Sequence, residues 1–102
     1  MDTRPTLDRV KESLFGMLQF DLPDSRVLDL FSGSGNLGLE SASRGAARVV
    51  CNDRSRDCAD QIRANAKLLG LDGVVEVLCL DYTACLERLS RENAQFDLSF
   101  LD

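Results

Sequence analysis

Four aspartates, Asp29, Asp53, Asp81 and Asp102, are the residues of this chain best placed to do chemistry. Each stands at the carboxyl end of an apolar run: Val27-Leu28, Val49-Val50-Cys51, Val74 to Leu80, and Phe96 to Leu101. Ionised carboxylates accept hydrogen bonds and attract cations, and they repel phosphate. A turn former at a strand end accounts well for any one of them and poorly for the set. Between the first two lies Gly33-Ser34-Gly35-Asn36-Leu37-Gly38, with G-x-G-x-x-G spacing. Such glycines let the chain turn tightly, let a ligand approach bare backbone, and let the next helix pack close to the strand. The N–H groups that open that helix face whatever lies over the turn.

Asp53 lies 20 residues beyond Gly33, where a carboxylate accepts hydrogen bonds from both hydroxyls of a ribose. Asp81, on the next strand end, suits an adenine exocyclic amine, with Tyr82 or Leu80 flanking the ring. Asp29, four residues before Gly33, favours a ligand with a positive group over one with two phosphates. S-adenosylmethionine is such a ligand: it carries a sulfonium, an ammonium and no phosphate. Asp53 suits NAD equally well, so an NAD-type dinucleotide-binding module of an oxidoreductase stays open as the alternative. Asp29 weighs against it.

The elements that must position these residues follow from periodicity. Thr6 is placed to cap a helix carrying Leu7, Val10, Leu14, Phe15, Met17 and Leu18 on one face. Leu22-Pro23-Asp24-Ser25 reads as a loop, residues 26–31 as a strand, and residues 36–44 as a helix closed by Gly45. A strand over residues 47–52 precedes a helix with Ala59, Ile62, Ala66 and Leu69 inward, ended by Gly70. Residues 74–80 form a third strand and 83–93 a helix with Leu86 and Leu89 inward, Cys85 and Arg88 beside them. Residues 96–101 form a fourth strand. Strand and helix in alternation predict a parallel sheet with helical crossovers, an α/β Rossmann-like fold of about four strands. The expected organisation is one domain, with residues 1–20 an N-terminal helix region and 26–102 a cofactor-binding half.

Composition removes other chemistries. There is no histidine, and the four cysteines, at 51, 58, 79 and 85, form no C-x-x-C pair. Zinc patterns and imidazole mechanisms are therefore absent, and no metal is expected. Cys51 and Cys79 fall in apolar runs and read as buried thiols. No apolar run approaches the roughly 18 residues that span a bilayer, so the expectation is a cytoplasmic protein with no membrane partner. A net charge of −5 argues against tight binding of nucleic acid except through a local basic patch.

Arg4-Pro5-Thr6 with Asp8 to Phe15, then Asp29-Leu30-Phe31-Ser32-Gly33-Ser34-Gly35-Asn36-Leu37-Gly38-Leu39-Glu40, then Ser43-Arg44-Gly45-Ala46, resemble the RsmD-type rRNA methyltransferases. The resemblance runs from about Arg4 to Asp102. It implies methyl transfer from S-adenosylmethionine to the exocyclic N2 of a guanine in small-subunit ribosomal RNA, free or in an assembling subunit. The cofactor-binding set it implies is Asp29, Phe31, Gly33, Ser34, Gly35, Leu37, Gly38, Asp53, Arg54, Asp81 and Tyr82. Arg4 and Arg9 would face RNA phosphates. Asp102 would be catalytic, as the first residue of the family's Asp-Pro-Pro-Tyr/Phe motif, accepting a hydrogen bond from the guanine amine. The prolines and aromatic of that motif do not follow it here, nor do the later strands of the family's sheet. The resemblance therefore implies a cofactor-binding half with little or no transfer activity alone.

Overall fold

The computed structural model describes residues 21–33 and 36–101. The N-terminal helix read from the first 20 residues lies outside them. Seven elements follow in order: β1 (Arg26–Asp29), α1 (Asn36–Ser43), β2 (Arg48–Asn52), α2 (Arg56–Leu68), β3 (Val75–Leu78), α3 (Tyr82–Arg91) and β4 (Leu98–Phe100). The four strands form one sheet in the order β3-β2-β1-β4, and every neighbouring pair is parallel. The expected α/β arrangement is therefore present, with strands one to three residues shorter than expected. Beyond β1 and β3 the chain continues through Leu30, Phe31, Cys79 and Leu80 into the sheet's carboxyl rim, with the Leu30 N–H still donating to the Phe100 carbonyl at 3.0 Å.

Strand alternation divides the core in two. Val27, Val49, Cys51 and Val75 face α1 and α2, where Leu39, Ala42, Ile62 and Ala66 cover them. Leu28, Leu30, Val50 and Leu78 face the other way, onto Cys85 and Leu89 of α3. Helices on both faces are what a parallel sheet requires, because both of its sides are apolar. Gly45 closes α1 with φ +103° and Gly70 follows α2 with φ +73°, the left-handed residues that end helices. At the opposite edge, the Asp97 carboxylate accepts the Arg26 backbone N–H at 2.8 Å and ties the start of β4 to β1.

Two side chains expected inward are not. Leu69 is 58% exposed and Leu86 44% exposed. Leu69 sits at the C-cap of α2, past the last turn that meets the sheet. On α3 the fully buried Cys85 takes the inward position, which turns its neighbour Leu86 to the rim of that face. Cys79 is only half-buried, since it lies beyond the end of β3. Among the described residues no helix is long and apolar enough to cross a membrane, and no group of acids and cysteines could hold a metal ion.

Candidate functional site

The carboxyl ends of β1, β2 and β3 open into a cleft of about 610 Å³. Leu30 and Phe31 form one side, Asn52, Asp53 and Arg54 the middle, and Leu80, Asp81, Tyr82 and Thr83 the other. Phe31 and Tyr82, both about half exposed, meet across the mouth with ring centroids 5.8 Å apart and tilted by 49°. Five residues of the expected cofactor-binding set thus converge, Phe31, Asp53, Arg54, Asp81 and Tyr82, together with Leu80, expected to flank the ring.

Asp53 has two backbone partners. One carboxylate oxygen accepts the Gly33 N–H at 2.8 Å, across 20 residues of sequence. The other accepts the Ser55 N–H at 2.8 Å. The carboxylate therefore holds the glycine turn against the loop that leads into α2. A carboxylate offers about four acceptor positions, so two stay available to ligand hydroxyls. Gly33 itself adopts φ +58° with open space where a side chain would go, so its requirement is backbone conformation. Asp81 is the N-cap of α3, accepting the Ala84 N–H at 2.9 Å.

Asp29 is placed differently from the expectation that it faces a ligand's positive end. As the last residue of β1 it shares a face with Val27, so alternation aims it beneath α1. It is 1% exposed, absent from the cleft's lining, and accepts the Gly38 N–H at 3.1 Å. Burial pushes its pKa above the ordinary 3.8, the Gly38 N–H and Ser32 hydroxyl pull back, and the Asp53 charge pushes again. Below it, burial and the Asp29 charge drive the Cys51 thiol up to about 12. Gly38 is there for space: an added Cβ would lie 2.3 Å from Cys51 Sγ and 3.4 Å from Asp29 Oδ2. Leu37 packs half-buried against the core rather than in the cleft. Ser34, Gly35, Asp102, Arg4 and Arg9 lie outside the described residues.

One residue of the site escaped the sequence reading. Asn52, 1% exposed, donates from Nδ2 to the Leu30 carbonyl at 3.2 Å and the Leu80 carbonyl at 2.9 Å. Its Oδ1 accepts the Leu80 N–H at 3.2 Å. A single amide thus joins the chain at the ends of three strands under the cleft. The only signal in the sequence is a polar residue closing an apolar run just before Asp53.

The family described as conserved hypothetical protein 95 matches residues 1–102. Ribosomal RNA small subunit methyltransferase D of Haemophilus influenzae is 36% identical over 103 residues, covering 97% of this chain and 51% of that one. The solved structure of yhhF from Escherichia coli superposes with a TM-score of 0.80 at 33% identity, over 92% of this chain and 50% of that one. An RNA methyltransferase from Salinibacter ruber, solved in complex with S-adenosyl-L-homocysteine, gives a TM-score of 0.65 at 26% identity, over 74% of this chain and 48% of that one. The chain spans about half the length of the curated relatives it matches.

Proposed function

Because this chain belongs to the conserved hypothetical protein 95 family, that of the rRNA methyltransferases RsmD and YlbH, we propose that it serves S-adenosylmethionine-dependent methylation of small-subunit ribosomal RNA at guanine N2. The observation that carries this reading is the rim cleft, where the ribose-type acceptor Asp53 and the second acceptor Asp81 flank a pair of aromatic rings. Its acceptor set fits a nucleoside without phosphates: the two carboxylates accept from hydroxyls and an amine, and Phe31 and Tyr82 offer apolar surface to a base. When bound, S-adenosylmethionine supplies a methyl group activated by its sulfonium.

The chain's own residues supply orientation. Asp53 holds the ribose hydroxyls while anchoring Gly33, so the same group fixes the ligand and the turn beside it. Asp81, its side chain steadied by the Ala84 N–H, meets the base amine. Asn52 keeps the Leu30 and Leu80 walls at a set separation. Asp102 accepts a hydrogen bond from the guanine amine, whose lone pair is otherwise delocalised into the ring. Transfer then depends on proximity and alignment, with the target base displayed out of its stack.

Calorimetric titration of the purified chain with S-adenosylhomocysteine, and with NAD in parallel, tests the cofactor assignment. Saturable binding of the first alone is the expected result, weakened at least tenfold in Asp53→Ala; binding of NAD alone overturns it. The chain alone is expected to transfer little or no methyl; of whatever label small-subunit RNA does take up, recovery as N2-methylguanosine supports the target and label on another base overturns it.

A further inference from the structure

The arginines of the described residues divide into two groups. Arg26, Arg44, Arg48, Arg63 and Arg88 each sit within 3.5 Å of a carboxylate, on Asp97, Glu40, Glu76, Asp60 and Glu92 respectively. Arg54, Arg56 and Arg91 pair with no carboxylate among the described residues. Arg91 has a local reason to be where it is, since a cation in the last turn of α3 meets the negative end of the helix. Arg56 has the opposite. It is the first residue of α2, where the helix end is positive and a cation is disfavoured. Local rules are broken most often where a surface works for a ligand.

Arg54, in the cleft wall on the loop leaving β2, and Arg56, the first residue of α2, are two residues apart, so their Cα atoms lie within about 7 Å. Both side chains are exposed. Asp53 already accepts the Gly33 and Ser55 N–H groups, Asp60 pairs with Arg63, and Asp81 accepts the Ala84 N–H, while the exposed Asp57 beside Arg56 offsets part of the positive charge. S-adenosylmethionine gives the pair nothing to neutralise at this end of the cleft, because a nucleoside held by Asp53 and Asp81 brings no phosphate. In a chain of net charge −5, Arg54 and Arg56 are two exposed guanidinium groups at the rim with no carboxylate partner among the described residues. We propose that Arg54 and Arg56 grip a phosphate of the RNA backbone and seat the strand on the rim beside the cleft. This rests on the RNA-modifying reading above and adds the surface that meets the substrate. A planar guanidinium fork matches phosphate oxygens in pairs, and two such forks span one phosphodiester or two adjacent ones.

Filter binding of the full chain to a small-subunit ribosomal RNA transcript, repeated across potassium chloride concentrations, tests the pair. Each phosphate contact contributes roughly 0.7 to 0.9 to the slope of log K against log salt. Arg56→Gln is expected to lower the slope by about that amount, and Arg54→Gln/Arg56→Gln by about twice it, while Arg91→Gln leaves it unchanged. Arg56→Gln relieves an unfavourable helix-end charge, so its melting temperature is expected to stay level or rise. An unchanged slope in Arg56→Gln, an equal fall in Arg91→Gln, or no RNA binding by the unaltered chain overturns the proposal. S-adenosylhomocysteine titration of the same preparations separates the two readings. Binding of that ligand with no arginine-dependent slope removes the RNA grip alone, and no binding of it removes the cofactor assignment whatever the RNA does.

Discussion

A glycine can be required for its backbone or for its emptiness, and this site uses both. Gly33 takes a left-handed φ with nothing around its absent side chain, whereas Gly38 takes an ordinary helical conformation over the Cys51 sulfur. Gly38→Ala is therefore expected to destabilise the fold by about 1–3 kcal/mol through overpacking. Cys51→Ala should recover most of that loss in the double variant, as urea denaturation of the three proteins would show. Equal losses in Gly38→Ala with and without Cys51 would mean that the clash lies elsewhere. Beside them, Asp29 predicts a pH signature. Its folded pKa is raised above 3.8 by burial, so the folded state holds the proton more tightly than the unfolded state. The ionised carboxylate thus costs stability at neutral pH, and the cost is relieved as pH falls through the folded pKa. Asn at this position keeps an acceptor for the Gly38 N–H without the charge. The difference in unfolding free energy between Asp29→Asn and the native chain should therefore grow in favour of the variant from pH 4 to pH 7. Parallel profiles would show that Asp29 titrates alike in both states.

At the scale of elements, the boundaries depend on where polar groups find partners. α2 begins where the Ser55 side chain accepts the Cys58 N–H, and α3 where Asp81 accepts the Ala84 N–H. Both caps follow from residue type, and Gly45 and Gly70 mark ends by the same reasoning, which is why strand–helix alternation was readable from composition and period. What the period could not say is which way a polar residue at a strand end would turn. Asp29 and Asp53 look equivalent in sequence, yet one faces a helix N–H and the other the rim, because β1 ends under α1 while Asp53 lies past the end of β2. Asn52 was illegible for a related reason: its partners, Leu30 and Leu80, are 22 and 28 residues away. Asn52→Ala would strip the part-buried Leu80 N–H of its side-chain acceptor and both carbonyls of their donor. The expected cost is about 1–3 kcal/mol, read from the shift in denaturation midpoint. A midpoint within error of the native value would mean that water replaces the amide without loss.

Across the whole molecule, the thiols report on the two halves of the core. Cys51 and Cys85 are fully buried on opposite faces of the sheet, whereas Cys58 and Cys79 are partly exposed. Maleimide labelling followed by mass spectrometry is expected to modify Cys58 and Cys79 in the folded chain and all four cysteines in denaturant. Labelling of Cys85 before Cys51 would mean that α3 opens on its own, and simultaneous labelling that the two faces unfold together. The parallel sheet order and the position of the rim follow from strand–helix alternation, but the tether that joins two of its loops does not. That tether makes the Gly33 amide a resident spectroscopic probe. An N–H bonded to a carboxylate resonates downfield, so its proton signal registers the state of Asp53 directly. A hydroxyl arriving at Asp53 draws charge from the same oxygens, and the Gly33 signal should move upfield in proportion to occupancy. Ligand entry could thus be followed in the untagged chain through one peak, at a residue the ligand need not touch.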